Sequence, residues 1–123
     1  MDPSETWSWV VNEYRGLLAR RFDGLEPILR LTERIAATPQ AEKLRAGMSM
    51  ATLLISATDA SLSHEPEPYI AVMVEPDEKR LRVQYRRNAD GPLLVSRVCD
   101  ESELDSVLHP LFIRLWNDTR KRV

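Results

Sequence analysis

The segment from Met48 to Val98 constrains the fold most, because it has the pattern of four strands in a row with helix-patterned segments on both sides. Strands joined by short turns normally pair antiparallel, whereas parallel strands need long crossover connections. Helices that lie outside the run of strands therefore predict an α+β fold in the order ααββββα, with a four-stranded antiparallel meander. At 123 residues the chain fits a single α+β domain, residues 1–123.

Two helices are predicted before the strands. Apolar residues recur at three- and four-residue spacing from about Glu5 to Phe22, and Asp2, followed by a proline, is typical of a helix start. A second, shorter helix is expected from Leu25 to Ala37. Thr38 and the proline after it then predict a brief turn of helix that stops at Gly47.

The strands differ in how apolar residues are distributed along them. The expected strands are Met48–Ala57, Tyr69–Glu75, Arg80–Arg87 and Leu93–Cys99. The first two are apolar on both alternating sets of residues, which is typical of central strands covered on both faces. The third alternates cleanly, so one of its faces should contact solvent. The connection Thr58–Pro68 is acidic and proline-containing, and we expect an exposed loop there.

A last helix is predicted at the C-terminus. Asp100 and Glu103 have the spacing of a capping box, and an apolar stripe with helical periodicity follows them. Pro110 lies inside this stripe, where it removes a backbone donor and clashes with the preceding turn. We therefore expect a kink near residues 105–109, or a break into two helices.

Composition favours a protein of the cytoplasm. The net charge is −2, 43% of the residues are hydrophobic and 29% are charged, and no apolar run has the length of a membrane span. The N-terminus lacks the basic and apolar regions of a signal peptide. Cys99 is the one cysteine, which excludes an internal disulfide and fits a reducing compartment. Arginine outnumbers lysine fourteen to three, and we expect a bacterial source with a GC-rich genome.

Catalytic and metal-binding signals are weak. His64 stands beside Glu65 and Glu67, which could ligate a metal or move protons, but the further His or Cys ligands of a zinc site are missing. Cys99 lies at the end of an apolar strand, the usual place of an inert buried thiol. Phosphate-loop, dinucleotide and nucleophile-elbow motifs are absent. The sequence therefore predicts a protein that is not an enzyme and needs no cofactor and no metal.

An arginine-lined sheet face is the basis of one alternative function. Nucleic acid or another anion could bind there through Arg80, Arg82, Arg86 and Arg97. Tyr85 lies on the opposite alternating set, so no aromatic stacking platform accompanies these charges. A solvated face, or an edge strand protected by charge, explains the same pattern without a ligand.

Self-association or binding of another protein is the function that the sequence favours. If the helices pack on one side of the two doubly apolar strands, the other side needs the C-terminal helix or a second subunit. We therefore predict a homodimer, or an unidentified protein partner, with Met48, Met50 and Met73 as candidate interface residues. The alternative is a monomer whose own helices cover both faces of the sheet.

Overall fold

The protein folds into a layer of helices on one antiparallel sheet. The computed structural model describes residues 2–57, 68–77, 79–87 and 91–120. Its helices are α1 (Pro3–Ala19), α2 (Glu26–Ala36) and α3 (Leu104–Arg120), with short 3-10 helices at Pro39–Glu42 and Glu101–Glu103. Its strands are β1 (Arg45–Ser49), β2 (Thr52–Ser56), β3 (Tyr69–Val74), β4 (Leu81–Arg86) and β5 (Leu93–Cys99). The α+β class and the order of helices around the strands are as predicted.

The sheet has five strands in the order β1-β2-β3-β4-β5, and every neighbouring pair is antiparallel. The prediction of four strands is wrong because the expected first strand, Met48–Ala57, is a hairpin. Its chain reverses at Met50 and Ala51, and β1 begins at Arg45. The predicted helical turn therefore ends at Glu42, not at Gly47, which lies within β1.

The hairpin turn has a backbone conformation that its sequence does not announce. Met50 and Ala51 have φ angles of 50° and 71°, so both central residues lie in the left-handed region, as a two-residue type I′ turn requires. Such turns usually contain asparagine, aspartate or glycine. The phenolic hydroxyl of Tyr14, on α1, donates a 2.9 Å hydrogen bond to the Ala51 carbonyl. Tertiary contact with α1 thus helps to hold a turn that local propensity disfavours.

Helix α1 begins as its sequence predicts. The Asp2 carboxylate accepts a 2.9 Å hydrogen bond from the Glu5 N–H, and Pro3 is the first helical residue. The backbone N–H of Glu5 and the neighbouring Ser4 hydroxyl, through their hydrogen bonds, hold the pKa of Asp2 below its usual value. The helix buries Trp7 completely and packs along β1 and α2.

Helix α3 is entered through the predicted capping box. The Asp100 N–H donates to the Glu103 carboxylate at 3.0 Å, and the Asp100 side chain caps the same turn in return. The helix then continues through Pro110 to Arg120, so the predicted break is absent. Pro110 is exposed, which places its ring on the solvent side of the helix.

Two ion pairs align α2 with the start of α3. The Arg30 guanidinium contacts the Glu101 carboxylate through two bonds, of 2.6 and 2.7 Å. Arg34 reaches Asp105 at 3.4 Å, one turn further along both segments. Because the contacts advance together along the chain, α2 and α3 run in the same direction.

All three helices share one hydrophobic core with one face of the sheet. The sheet residues of this inner face that are most deeply buried are Ala46, Leu53, Ile55, Ile70, Val72, Leu81, Val83, Tyr85 and Cys99. In the part of the chain that the structure describes, no helix packs on the opposite, outer face. We expected the first strands to be covered on both faces. As far as helices are concerned this is wrong, because α3 returns to the same side of the sheet as α1 and α2.

Candidate protein-interaction surface

The outer face of the sheet carries no helix among the described residues. A shallow depression of about 320 Å³ lies on it. It is lined by Ser49, Thr52, Leu54, Tyr69, Ala71, Met73 and Gln84. The strand register brings Leu54 beside Ala71, and Ala71 beside Gln84, in one row across three strands. The surface thus combines an apolar centre with neutral polar groups around it, the composition of many protein-binding patches.

The edge of the sheet at β1 is covered by α1 where the strand begins. The Ala46 N–H donates a 2.9 Å hydrogen bond to the Thr6 hydroxyl, and the Trp7 indole N–H donates to the Leu44 carbonyl at 2.9 Å. Thr6 and Trp7 are both buried. Side chains of a helix therefore satisfy backbone groups that an edge strand would otherwise leave for another chain.

The opposite edge, at β5, has no comparable cover among the described residues. β5 pairs with β4 alone, and its burial is the lowest of the five strands. Leu93, Ser96 and Arg97 are exposed, and Val98 is half-buried. A seven-residue edge strand with one charged residue and no proline inside it lacks most of the features that prevent edge-to-edge pairing. A bulge near Leu93 is the one such feature present.

The three candidate interface methionines do not share a surface. Met48 lies on the inner face and packs against the core. Met50 is at the tip of the β1-β2 turn and is 98% exposed. Met73 lies on the outer face, paired in register with Arg82 of β4. Of the three, Met73 belongs to the outer-face depression and Met50 projects beyond the sheet.

The four candidate arginines do not form one cationic face either. Arg82 and Arg86 point to the outer face, whereas Arg97 is in register with Val83 and so lies on the inner side of β5. Arg80 stands in the turn before β4, where it contacts the Asp77 carboxylate at 2.9 Å. β4 is also an interior strand, so an edge-protecting role for its arginines is wrong.

Acidic groups of the β3-β4 connection neutralise two of these arginines. Arg82 lies 2.6 Å from the Glu75 carboxylate and also donates to the Ser96 hydroxyl at 2.7 Å. The Lys79 N–H and the Arg80 side chain hold the pKa of Asp77 below its usual value, by hydrogen bonds to the carboxylate. Arg86 donates to the Gly91 carbonyl at 2.9 Å. The arginines that suggested an anion site thus largely contact oxygen atoms of the protein itself.

His64 and Cys99 are the two candidates for catalysis or metal binding. His64 lies outside the described residues. Cys99 is buried, and burial, with a smaller contribution from the Glu103 carboxylate, raises the pKa of its thiol, which disfavours the reactive thiolate. Over the described ranges no group of three His, Cys, Asp or Glu side chains is arranged to hold a metal ion.

A polar cluster that sequence reasoning missed joins β4 to the end of α3. The Tyr85 hydroxyl donates a 2.6 Å hydrogen bond to the Asp118 carboxylate, and the Arg114 guanidinium stacks over the Tyr85 ring at 4.9 Å. Burial, together with this bond to Asp118, raises the pKa of Tyr85. The sequence gives no signal of this contact. Tyr85 belongs to the core-facing set of its strand, and Asp118 lies four residues after Arg114 on a helix. The cluster anchors α3 to the sheet.

A second concave feature lies between α2 and α3. It has a volume of about 290 Å³, a floor of Leu31, Ile35, Leu108 and Phe112, and a rim that includes Arg34, Asp105 and His109. The Arg34 and Asp105 ion pair crosses this rim. Its charged groups therefore already satisfy one another.

Comparisons with known proteins assign no function to these surfaces. No protein-family model, no curated protein and no solved structure matched the chain. Over the described residues, no helix has both the length and the apolar character that crossing a membrane requires.

Proposed function

We propose that this protein acts without catalysis, by protein-protein association through the helix-free side of its sheet, and that it forms a homodimer. The observation that carries the proposal is the asymmetry of the sheet. Helices cover its inner face and the beginning of its β1 edge, whereas in the described residues the outer face carries a depression and the β5 edge is bare. A bacterial, cytoplasmic protein remains part of this proposal and is based on composition alone.

The chemistry of the exposed side supports a protein partner over an anion. The half-buried Leu54 and Met73, with the buried Ala71 between them, form its apolar centre, and the nearby Arg82 is paired with Glu75. An apolar centre with a neutral polar rim is desolvated at low cost when another protein surface covers it. Nucleic acid would instead need a continuous cationic surface, which the four candidate arginines do not provide.

The molar mass in solution tests the proposal. We expect light scattering at micromolar concentration to report about twice the 14.1 kDa chain mass. Because hydrophobic burial stabilises association, the dimer should persist in high salt, unlike a complex held by surface charges. A monomer mass throughout the micromolar range would contradict the homodimer.

A pair of variants locates the association surface. Val98→Lys introduces a charge on the outer face beside the β5 edge, where Val98 is half-buried, and Ile113→Lys introduces the same charge on the exposed side of α3, where Ile113 is 51% exposed. We expect Val98→Lys to weaken association and Ile113→Lys to leave it unchanged. The reverse order would place the interface on the helices and overturn the proposal.

A further inference from the structure

We infer that the partner on the β5 edge is a second copy of this chain, which pairs antiparallel with β5 about a two-fold axis centred on Ser96. This inference rests on the proposed self-association and adds the edge, the register and the continuous ten-stranded sheet that results. Among the described residues, β5 leaves the backbone groups on its outer edge without a strand partner.

The direction of those groups follows from the register of the sheet. Successive residues of a strand point their N–H and C=O groups to opposite sides. The Glu75 N–H bonds to the Arg80 carbonyl, so Arg80 faces β3, and the alternation turns Val83 toward β5. Val83 is in register with Arg97, which must therefore face β4. The N–H and C=O of Ser96 and Val98 consequently point away from the sheet.

The register followed from the β1 edge gives Ser96 the same orientation. The Ala46 N–H points outward, because it bonds to Thr6 of α1. Paired residues that exchange hydrogen bonds face each other, and the next residue of each strand faces the opposite way. Following this alternation across the sheet again makes the backbone groups of Arg97 face β4. The pairs used are Gly47 with Leu54, Leu53 with Val72, Met73 with Arg82, and Val83 with Arg97. By both routes, the backbone N–H and C=O of the neighbouring Ser96 therefore point away from the edge of the sheet.

Two-fold pairing at Ser96 uses these outward groups. A residue on the axis faces its own copy, and a pair of outward-facing residues exchanges two N–H···O=C bonds. Ser96 would form such a pair with the partner's Ser96, and Val98 would lie opposite the partner's Leu94, the extra residue of the bulge, where regular pairing would end. The axis thus coincides with a residue whose backbone is oriented for pairing.

The side chains of β5 are compatible with this register. The strand reads Leu-Leu-Val-Ser-Arg-Val-Cys, so apolar residues flank Ser96 on both sides. Its one charged residue, Arg97, would face the partner's Val95, and the two arginines would not lie directly opposite each other. Like charges directly opposite would destabilise the pair, and this register avoids them.

The helix layer leaves room for the approach. α3 packs on β3 and β4, and on the inner side of β5 Val95 is half-buried while Arg97 is exposed. A second sheet can therefore meet the edge in the plane of the first. Rotation about an axis perpendicular to the sheet keeps both helix layers on the same side, and the two outer faces then form one continuous surface.

Disulfide trapping tests the register. A pair of residues that exchange hydrogen bonds across an antiparallel ladder has Cα atoms about 5.5 Å apart, within the range that a disulfide spans. We expect Ser96→Cys to form a covalent dimer when copper-phenanthroline and oxygen oxidise the two thiols. Arg97→Cys, on the same exposed strand, is the matched control, because its copies would be offset along the ladder. The native Cys99 is buried and should not react.

A proline variant tests the hydrogen bonds. Ser96→Pro removes an outward N–H without touching the β4 ladder, so the monomer should fold, with an unchanged circular dichroism spectrum, while the dimer dissociates at least tenfold more readily. Ser96→Ala loses the contact with Arg82 but keeps the N–H, and should remain dimeric. If the wild type is a dimer but the disulfide of Ser96→Cys forms no faster than that of Arg97→Cys, this register is overturned and the proposed association is left intact. A wild-type monomer would overturn both.

Discussion

The hydroxyl of Thr6 accepts a 2.9 Å hydrogen bond from the Ala46 N–H and donates a 2.6 Å bond to the Pro3 carbonyl. One buried side chain thus connects the first turn of α1 to the edge of β1. Because a buried N–H without a partner is costly, this contact both stabilises the fold and removes a site for edge pairing. No equivalent contact is present at β5 among the described residues, so the two edges differ in how far their backbone groups are satisfied within the chain.

Replacing Thr6 by valine should destabilise the protein. The shape of the side chain is conserved, but the Ala46 N–H loses its buried acceptor, a change that costs about 1 to 3 kcal/mol. Urea unfolding would measure the loss. Thr32→Val is the matched control: Thr32 is also buried in a helix and donates to the carbonyl three residues earlier, but no described backbone N–H bonds to its hydroxyl. An equal loss in both variants would contradict the edge-closing role of Thr6.

Ala51→Gly should stabilise the β1-β2 turn. Ala51 has a φ of 71°, where an L side chain costs roughly 1 to 2 kcal/mol, whereas glycine adopts this region freely. Part of the gain is lost to the larger entropy of the unfolded chain, which leaves an increase of about 0.5 kcal/mol in the free energy of unfolding. Glu13→Gly, at an exposed position inside α1, should instead cost roughly 0.5 kcal/mol. A loss of stability in Ala51→Gly would show that the turn is not strained.

Tyr85 and Asp118 should be energetically coupled. Tyr85→Phe removes the hydroxyl that bonds to Asp118 at 2.6 Å, and Asp118→Asn weakens the same bond from the other side. A double-mutant cycle in thermal or urea unfolding should give a coupling energy of about 1 to 2 kcal/mol, because one partner is charged and the hydroxyl is buried. Additive effects of the two substitutions would mean that α3 is held to β4 by apolar packing alone.

The contribution of the Arg30 and Glu101 pair should depend on pH. The Arg30 side chain, through its hydrogen bonds, lowers the pKa of Glu101 from its usual value of 4.5. The stabilisation is therefore complete above the pKa of the unfolded chain and is lost as the pH falls through the lower folded value. Both side chains are partly exposed, so solvent screening limits the effect to about 0.5 kcal/mol.

Arg30→Gln makes this dependence measurable. We expect the melting temperature to fall at neutral pH and the difference from the wild type to disappear in acid, once Glu101 is protonated. Arg20→Gln, an exposed change at the end of α1, should shift neither curve. A difference between Arg30→Gln and the wild type that persists unchanged in acid would indicate a packing role for the Arg30 side chain.

The sequence determined the elements whose signals are local. The capping box of Asp100 and Glu103, the start of α1 at Asp2 and the limits of β5 are all found where they were predicted. Each depends on contacts between residues a few positions apart, or on a periodic apolar pattern that any burial would select. The α+β class followed from the order of these elements.

Only the tertiary structure decided how the sheet ends and which face is covered. The reversal at Met50 and Ala51 has no turn residues to announce it, and Tyr14 of a distant helix supports it. Apolar residues on both sets of a strand do not reveal which set meets the helices, because that depends on where α3 returns. Closure of the β1 edge by Thr6 likewise required two segments forty residues apart to meet. Burial and edge pairing are non-local, so the face and the edge of the sheet that the helices leave uncovered were decided only when the whole chain was folded.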